Sequence, residues 1–80
     1  MNPSHEIVNV NPLGVEVGDY VHFGGYGALY VVDLDYMMNE GKTWWVTDNK
    51  DERFNRNARG WSICSHNAKK IIEKGDESDE

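Results

Sequence analysis

Three groups of side chains in this sequence are of types that carry chemistry. Cys64 and His66 stand two residues apart, with His22 far upstream, and would supply a thiol with a base or part of a metal site. Zinc normally takes four ligands at paired Cys or His spacings, and a single cysteine with scattered histidines does not provide them. Asp33 and Asp35 share one face of a strand pattern. A carboxylate pair two residues apart is the ordinary solvated end of a strand, not an acid and base flanking a substrate. Gly24, Gly25 and Gly27 do not form a phosphate cradle, because such loops run from a strand into a helix N-terminus and here a second strand pattern follows. The sequence therefore predicts no enzyme, no catalytic residue, no metal and no cofactor.

Binding chemistry is better represented. Arg53, Arg56 and Arg59 recur every three residues between 48 and 60, interleaved with Asn49, Asn55, Asn57 and Phe54. With Lys50 and an exposed Trp45 they would make a small electrostatic and stacking surface of the kind used on single-stranded nucleic acid. Asp48, Asp51 and Glu52 nearly cancel that charge and offer the arginines local partners. Aromatic residues and arginine are also the types enriched at the energetic centres of protein interfaces, which brings in Tyr26, Tyr36 and Met37. The candidate partner-binding set is thus Tyr26, Tyr36, Met37, Trp45, Arg53, Phe54, Arg56 and Arg59. Protein binding leads, since it tolerates acidity and can use an open strand edge; binding of single-stranded RNA through the 48–60 loop is the alternative.

Composition limits what can position these residues. Eighty residues support one domain, and a hydrophobic fraction of 39% with two prolines is that of a chain that folds. No apolar run approaches the roughly 20 residues that cross a bilayer, the N-terminus lacks a basic and then apolar leader, and the lone cysteine can make no internal disulfide. A cytoplasmic monomer is the expectation. Of the formal charge of −6, half belongs to Lys74–Glu80, where four acids face one lysine. Net negative charge repels the phosphate backbone, so general nucleic-acid binding is disfavoured. The tail would engage a basic partner surface or serve solubility alone.

The strands are read from β-branched and aromatic residues between glycine-bearing breaks. In the first strand Val21 and Phe23 alternate with Tyr20 and His22, and Gly24, Gly25 and Gly27 reverse the chain. The second strand runs from Ala28 to Tyr36, with Ala28, Tyr30, Val32 and Leu34 toward the core and an acidic far end that implies a bend. Asn39, Glu40 and Gly41 turn it into the third strand, Thr43 to Thr47, where Trp44 and Val46 face inward and Trp45 outward. A long loop with one helical turn precedes a short strand from Trp61 to Cys64, with Trp61 and Ile63 on one side. Ser65–Asn67 makes a turn or a single 3₁₀ step before a last strand or a short helical end from Lys69 to Ile72. Ile7, Val8 and Val10 offer an edge strand within an N-terminal arm, 1–14, and residues 74–80 form a disordered acidic tail.

The order of these features resembles a small SH3-like barrel: Val17-Gly18-Asp19-Tyr20-Val21 opening a strand, a glycine turn, a long bent second strand, a tryptophan strand, and Gly60-Trp61 leading through a polar turn to a last strand. The likeness spans residues 15–73. Within that superfold the stretch GDYVHFGGYGALYVVDLD is similar to Tudor-like modules of the transcription machinery, such as CarD-type RNA-polymerase-interacting domains and KOW-type domains. The resemblance implies a mostly-β barrel of about five strands whose exposed strands bind a larger host protein, RNA polymerase being one such partner. In size and acidity the chain is also similar to small phage-encoded proteins that inhibit a host enzyme.

Overall fold

Five short strands form where the sequence places β-branched and aromatic runs: β1 (Tyr20–His22), β2 (Ala28–Asp33), β3 (Thr43–Thr47), β4 (Trp61–Cys64) and β5 (Lys70–Glu73). The computed structural model describes residues 9–75, so the expected edge strand at Ile7 and Val8 and the tail from residue 76 lie outside the described residues. All pairings are antiparallel in the order β4-β3-β2-β1-β5, and no α-helix occurs among the described residues. No strand pairing joins β4 to β5 among them. Each connection contains a single 3₁₀ turn, the one in the long 48–60 loop being Lys50–Glu52; at the glycine reversal Gly24–Tyr26, Phe23 N–H donates to Gly27 O at 2.8 Å.

The core lies on one face of this sheet and is built by Val15, Val21, Phe23, Leu29, Val31, Trp44, Val46 and Ile63, with Leu34, Ala68 and Ile71 packed against it. Val21, Val31 and Val46 have no exposure although, among the described residues, no second layer of helix or sheet covers them. A single sheet can do this only by curling over its own apolar face. Two register irregularities, between Val31 and Asp33 on β2 and opposite Tyr20 and Val21 on β5, supply the bends. Trp44 fills the centre, edge-on to Phe23 with centroids 6.1 Å apart, and its indole N–H donates to Gly41 O at 2.9 Å.

The predicted face of β2 is reversed in its first half. Leu29 and Val31 enter the core, whereas Ala28 and Tyr30 are half-buried on the other side. The cause is cross-strand pairing: Val21 faces Leu29 and Tyr20 faces Tyr30, so the residues opposite a core valine share its face. The irregularity at Val32 then shifts the parity, which is why Leu34 returns to the core side as expected. The strand also ends at Asp33, not Tyr36, because Tyr36–Met38 winds into a 3₁₀ turn.

The ends of the described chain are tied together by Asp19, a carboxylate with no exposure. Its Oδ2 accepts from Glu16 N–H at 2.9 Å and from Lys74 Nζ at 2.7 Å, and its Oδ1 accepts from Gly75 N–H at 2.7 Å. Lys74 and Gly75, which the sequence assigns to the tail, are therefore fastened to the sheet.

Candidate functional site

The eight candidate residues do not converge on one place. Trp45 is not the free outer aromatic predicted from its threonine neighbours: it is half-buried, its indole N–H donates to Ala58 O at 2.9 Å, and its ring lies 4.7 Å from that of Tyr36. It anchors the 48–60 loop to the outer face of β3. Tyr26 projects from the glycine reversal, 62% exposed, away from the others in sequence and sheet position.

The arginine loop is ordered by its asparagines. Asn49 Oδ1 accepts from Asp51 N–H, Asn55 Oδ1 from Asn57 N–H, and Asn55 Nδ2 donates to Glu52 Oε1 at 2.6 Å. Such side-chain turns explain the asparagines without any ligand. The loop also sends its three arginines in different directions. Arg53 stacks over Phe54 at 4.9 Å and donates to Lys50 O, Arg56 reaches Asp33 at 3.6 Å, and Arg59 lies beside Thr47 and Ala58. Among the described residues none of the three pairs with Asp48, Asp51 or Glu52, and the single stacking surface expected of them is not assembled.

What does assemble is a groove of about 810 Å³ on the outer side of the β2 end. Val17, Leu34 and Phe54 give it apolar walls, and Glu16, Asp33 and Asp35 set acids around it. Phe54 is placed by Gly18: this residue has φ +95°, and a Cβ there would stand 2.3 Å from the Phe54 ring. Arg56, largely exposed, also lines the groove and reaches Asp33 there at 3.6 Å, so the rim is of mixed charge.

Asp35, which lines the groove, leads directly into the turn Tyr36–Met38, the most exposed apolar element described. Met37 is 70% and Met38 87% exposed, and both, with Glu40, hold left-handed backbone at φ 72°, 51° and 68°. Asp35 fixes this conformation by accepting from Gly41 N–H at 2.8 Å and Met38 N–H at 3.1 Å, while Asn39 exchanges two hydrogen bonds with Thr43. Met38, more exposed than its neighbour Met37, is absent from the residues that the sequence points to.

A second surface collects on β1, β2 and β5. Tyr20 and Tyr30 are cross-strand partners with rings stacked at 4.4 Å. Lys50, Arg53, Lys74 and Glu73 surround them at a recess of about 200 Å³. Burial pushes the Tyr30 hydroxyl above its ordinary pKa, reinforced by Tyr20 and Glu73 and opposed by Arg53. The hydrogen bond to Asp19 raises that of Lys74.

Cys64, His66 and His22 are all exposed, and no hydrogen bond joins Cys64 to His66 among the described residues. No group of three or more His, Cys, Asp or Glu side chains that would hold a metal ion occurs among them either. No described helix is long and apolar enough to cross a membrane. Compared with family models, curated proteins and solved structures, the chain matches none.

Proposed function

We propose that this chain is a non-enzymatic protein-binding module on a small SH3-like barrel, and that it engages a larger protein through the Tyr36–Met38 turn and the adjoining groove. The observation that carries this reading is the turn itself. Two consecutive methionines are held in left-handed backbone and pushed into solvent by Asp35 and Asn39. Strain of this kind persists where the surrounding bonds impose it, and it collects at binding sites. Methionine adapts to varied apolar partners. Asp35 makes no ion pair among the described residues and, with Asp33 and Glu16 held by Arg56 and Lys74, favours a partner surface that is apolar at its centre and carries a basic group at its edge. A host component of the transcription machinery in the cytoplasm is the partner class suggested by the sequence resemblance.

Affinity capture from a bacterial lysate tests this when wild type is compared with a Met37→Ser plus Met38→Ser variant of unchanged melting temperature. A protein retained by wild type and lost with the variant supports the reading. Equal retention by both removes the turn from the interface.

A further inference from the structure

We infer that the stacked Tyr20–Tyr30 pair and the cations beside it form a second binding site, for a short single strand of nucleic acid. The inference is independent of the groove and its partner.

The net charge of −6 argues against phosphate binding only if it is spread over the fold, and it is not. Of 14 acids, Glu6, Asp76, Glu77, Asp79 and Glu80 lie outside residues 9–75, whereas all eight Lys and Arg lie within. The described body thus holds nine acids against eight bases, a net charge of −1. These charges are also sorted. Glu16, Asp33 and Asp35 line the groove, whereas Lys50 and Arg53 flank Tyr30, and Lys70 pairs across from His22, two residues along β1 from Tyr20.

The register places the pieces on one surface. Tyr20 and His22 alternate with core Val21, and Tyr30 alternates with core Leu29 and Val31, so the two tyrosines and His22 share the outer face of β1 and β2. Lys70 extends that face onto β5, and Arg53 and Lys50 close its far end. The result is a half-buried pair of tyrosines stacked on each other with cations at both ends, where a base would meet the outer surface of the pair while phosphates take the cations, as single strands are held through stacking and phosphate contact. Lys74 is committed to Asp19 and Glu16 and is not counted, and Glu73 is the one acid at the recess. Lys50 and Arg53 make no ion pair among the described residues, so their charge is available.

A ten-nucleotide single-stranded RNA of mixed sequence, labelled for fluorescence anisotropy, is the probe, titrated with the full chain at 50 mM salt. Saturable binding is expected. With two phosphates neutralised it should weaken about sevenfold between 50 and 200 mM salt, from a single-strand slope of roughly −0.7 per phosphate. Lys50→Glu with Arg53→Glu, both outside the core, should weaken it at least tenfold, and Tyr20→Leu at least fivefold. A chain ending at Gly75 should bind more tightly, because it removes four acids that begin one residue past the recess. Absence of binding at 50 mM salt by folded protein overturns the proposal. So does unchanged affinity in the charge-reversal variant, weaker binding on removal of residues 76–80, or full displacement of the RNA by inorganic phosphate at equal phosphate concentration, which would mean that the rings read no base.

Discussion

Trp44 and Trp45 are adjacent and identical in type, yet the sheet gives them different work. Trp44 is 1% exposed, meets Phe23 edge-on and bonds to Gly41 O, so Trp44→Ala removes the centre of the core and should cost about 3–5 kcal/mol. Trp45 is half-buried against Tyr36 and bonds to Ala58 O; its truncation should cost about 1–2 kcal/mol and free the 48–60 loop while leaving the core intact. Urea melts of both variants, with hydrogen exchange across residues 48–60, separate the two effects; equal losses of stability would contradict this assignment. That one of the pair must face inward was legible from strand alternation, and Val46 beside Trp44 indicated which. The role of Trp45 was not legible, because its partner Ala58 is thirteen residues away and the loop that brings it back has no periodicity. Gly60 shows the same return from the other side: a Cβ there would lie 1.8 Å from Val46 O. Gly60→Ala should accordingly lower the melting temperature strongly, although nothing in the local sequence distinguishes this glycine from a turn residue.

Among the elements, β2 shows most plainly where local pattern stops informing. The run Leu29-Tyr30-Val31-Val32 is apolar on both faces, so period-two alternation permits either register. The choice is made by neighbours, since Val21 and Val46 stand opposite Leu29 and Val31 and Tyr20 stands opposite Tyr30. Carrying the inward face of β1 across the glycine reversal would have indicated this. The irregularity at Val32 has no comparable sequence signal, and neither has the left-handed turn at Met37 and Met38, because no glycine marks it. That turn yields a direct test of strain. Met37→Gly relieves a left-handed backbone that costs an L-residue roughly 1–2 kcal/mol and incurs about 0.5–1 kcal/mol of added chain entropy, so stability should rise by up to about 1 kcal/mol. The proposed partner should at the same time bind less tightly. A chemical melt and a binding assay on the same variant check both signs, and a loss of stability would show that Met37 contributes to packing beyond what its 70% exposure allows.

At the scale of the whole molecule, the tie between the two ends of the described chain depends on Asp19. This residue stands in the Val-Gly-Asp opening of β1 and holds the segment after β5 more than fifty residues away. Asp19→Ala should destabilise the fold by about 3 kcal/mol, since it leaves the Glu16 and Gly75 amides and the Lys74 ammonium without their shared acceptor. Lys74 provides the complementary measurement through pH. Its pKa in the folded chain is raised by the hydrogen bond to Asp19, so folding favours the protonated ammonium. The stabilisation is fully present below the ordinary lysine value of 10.5 and is lost as pH rises through the higher folded value. Tyr30 acts in the same direction in nearly the same range: its folded pKa is raised above the ordinary 10.0 by burial, so its neutral form is favoured and stability falls as the phenol ionises. Wild type should therefore hold its melting temperature from neutral pH to about pH 9 and begin to lose it above about pH 10. A Lys74→Met variant should melt lower than wild type at pH 7, and the gap should narrow above pH 10.5 because only wild type has the clamp to lose. Tyr30→Phe removes the phenol alone, and the alkaline loss that persists in it isolates the lysine. If the wild-type and Lys74→Met curves run parallel from pH 7 to pH 11, the Asp19–Lys74 contact does not hold the end of the chain in solution.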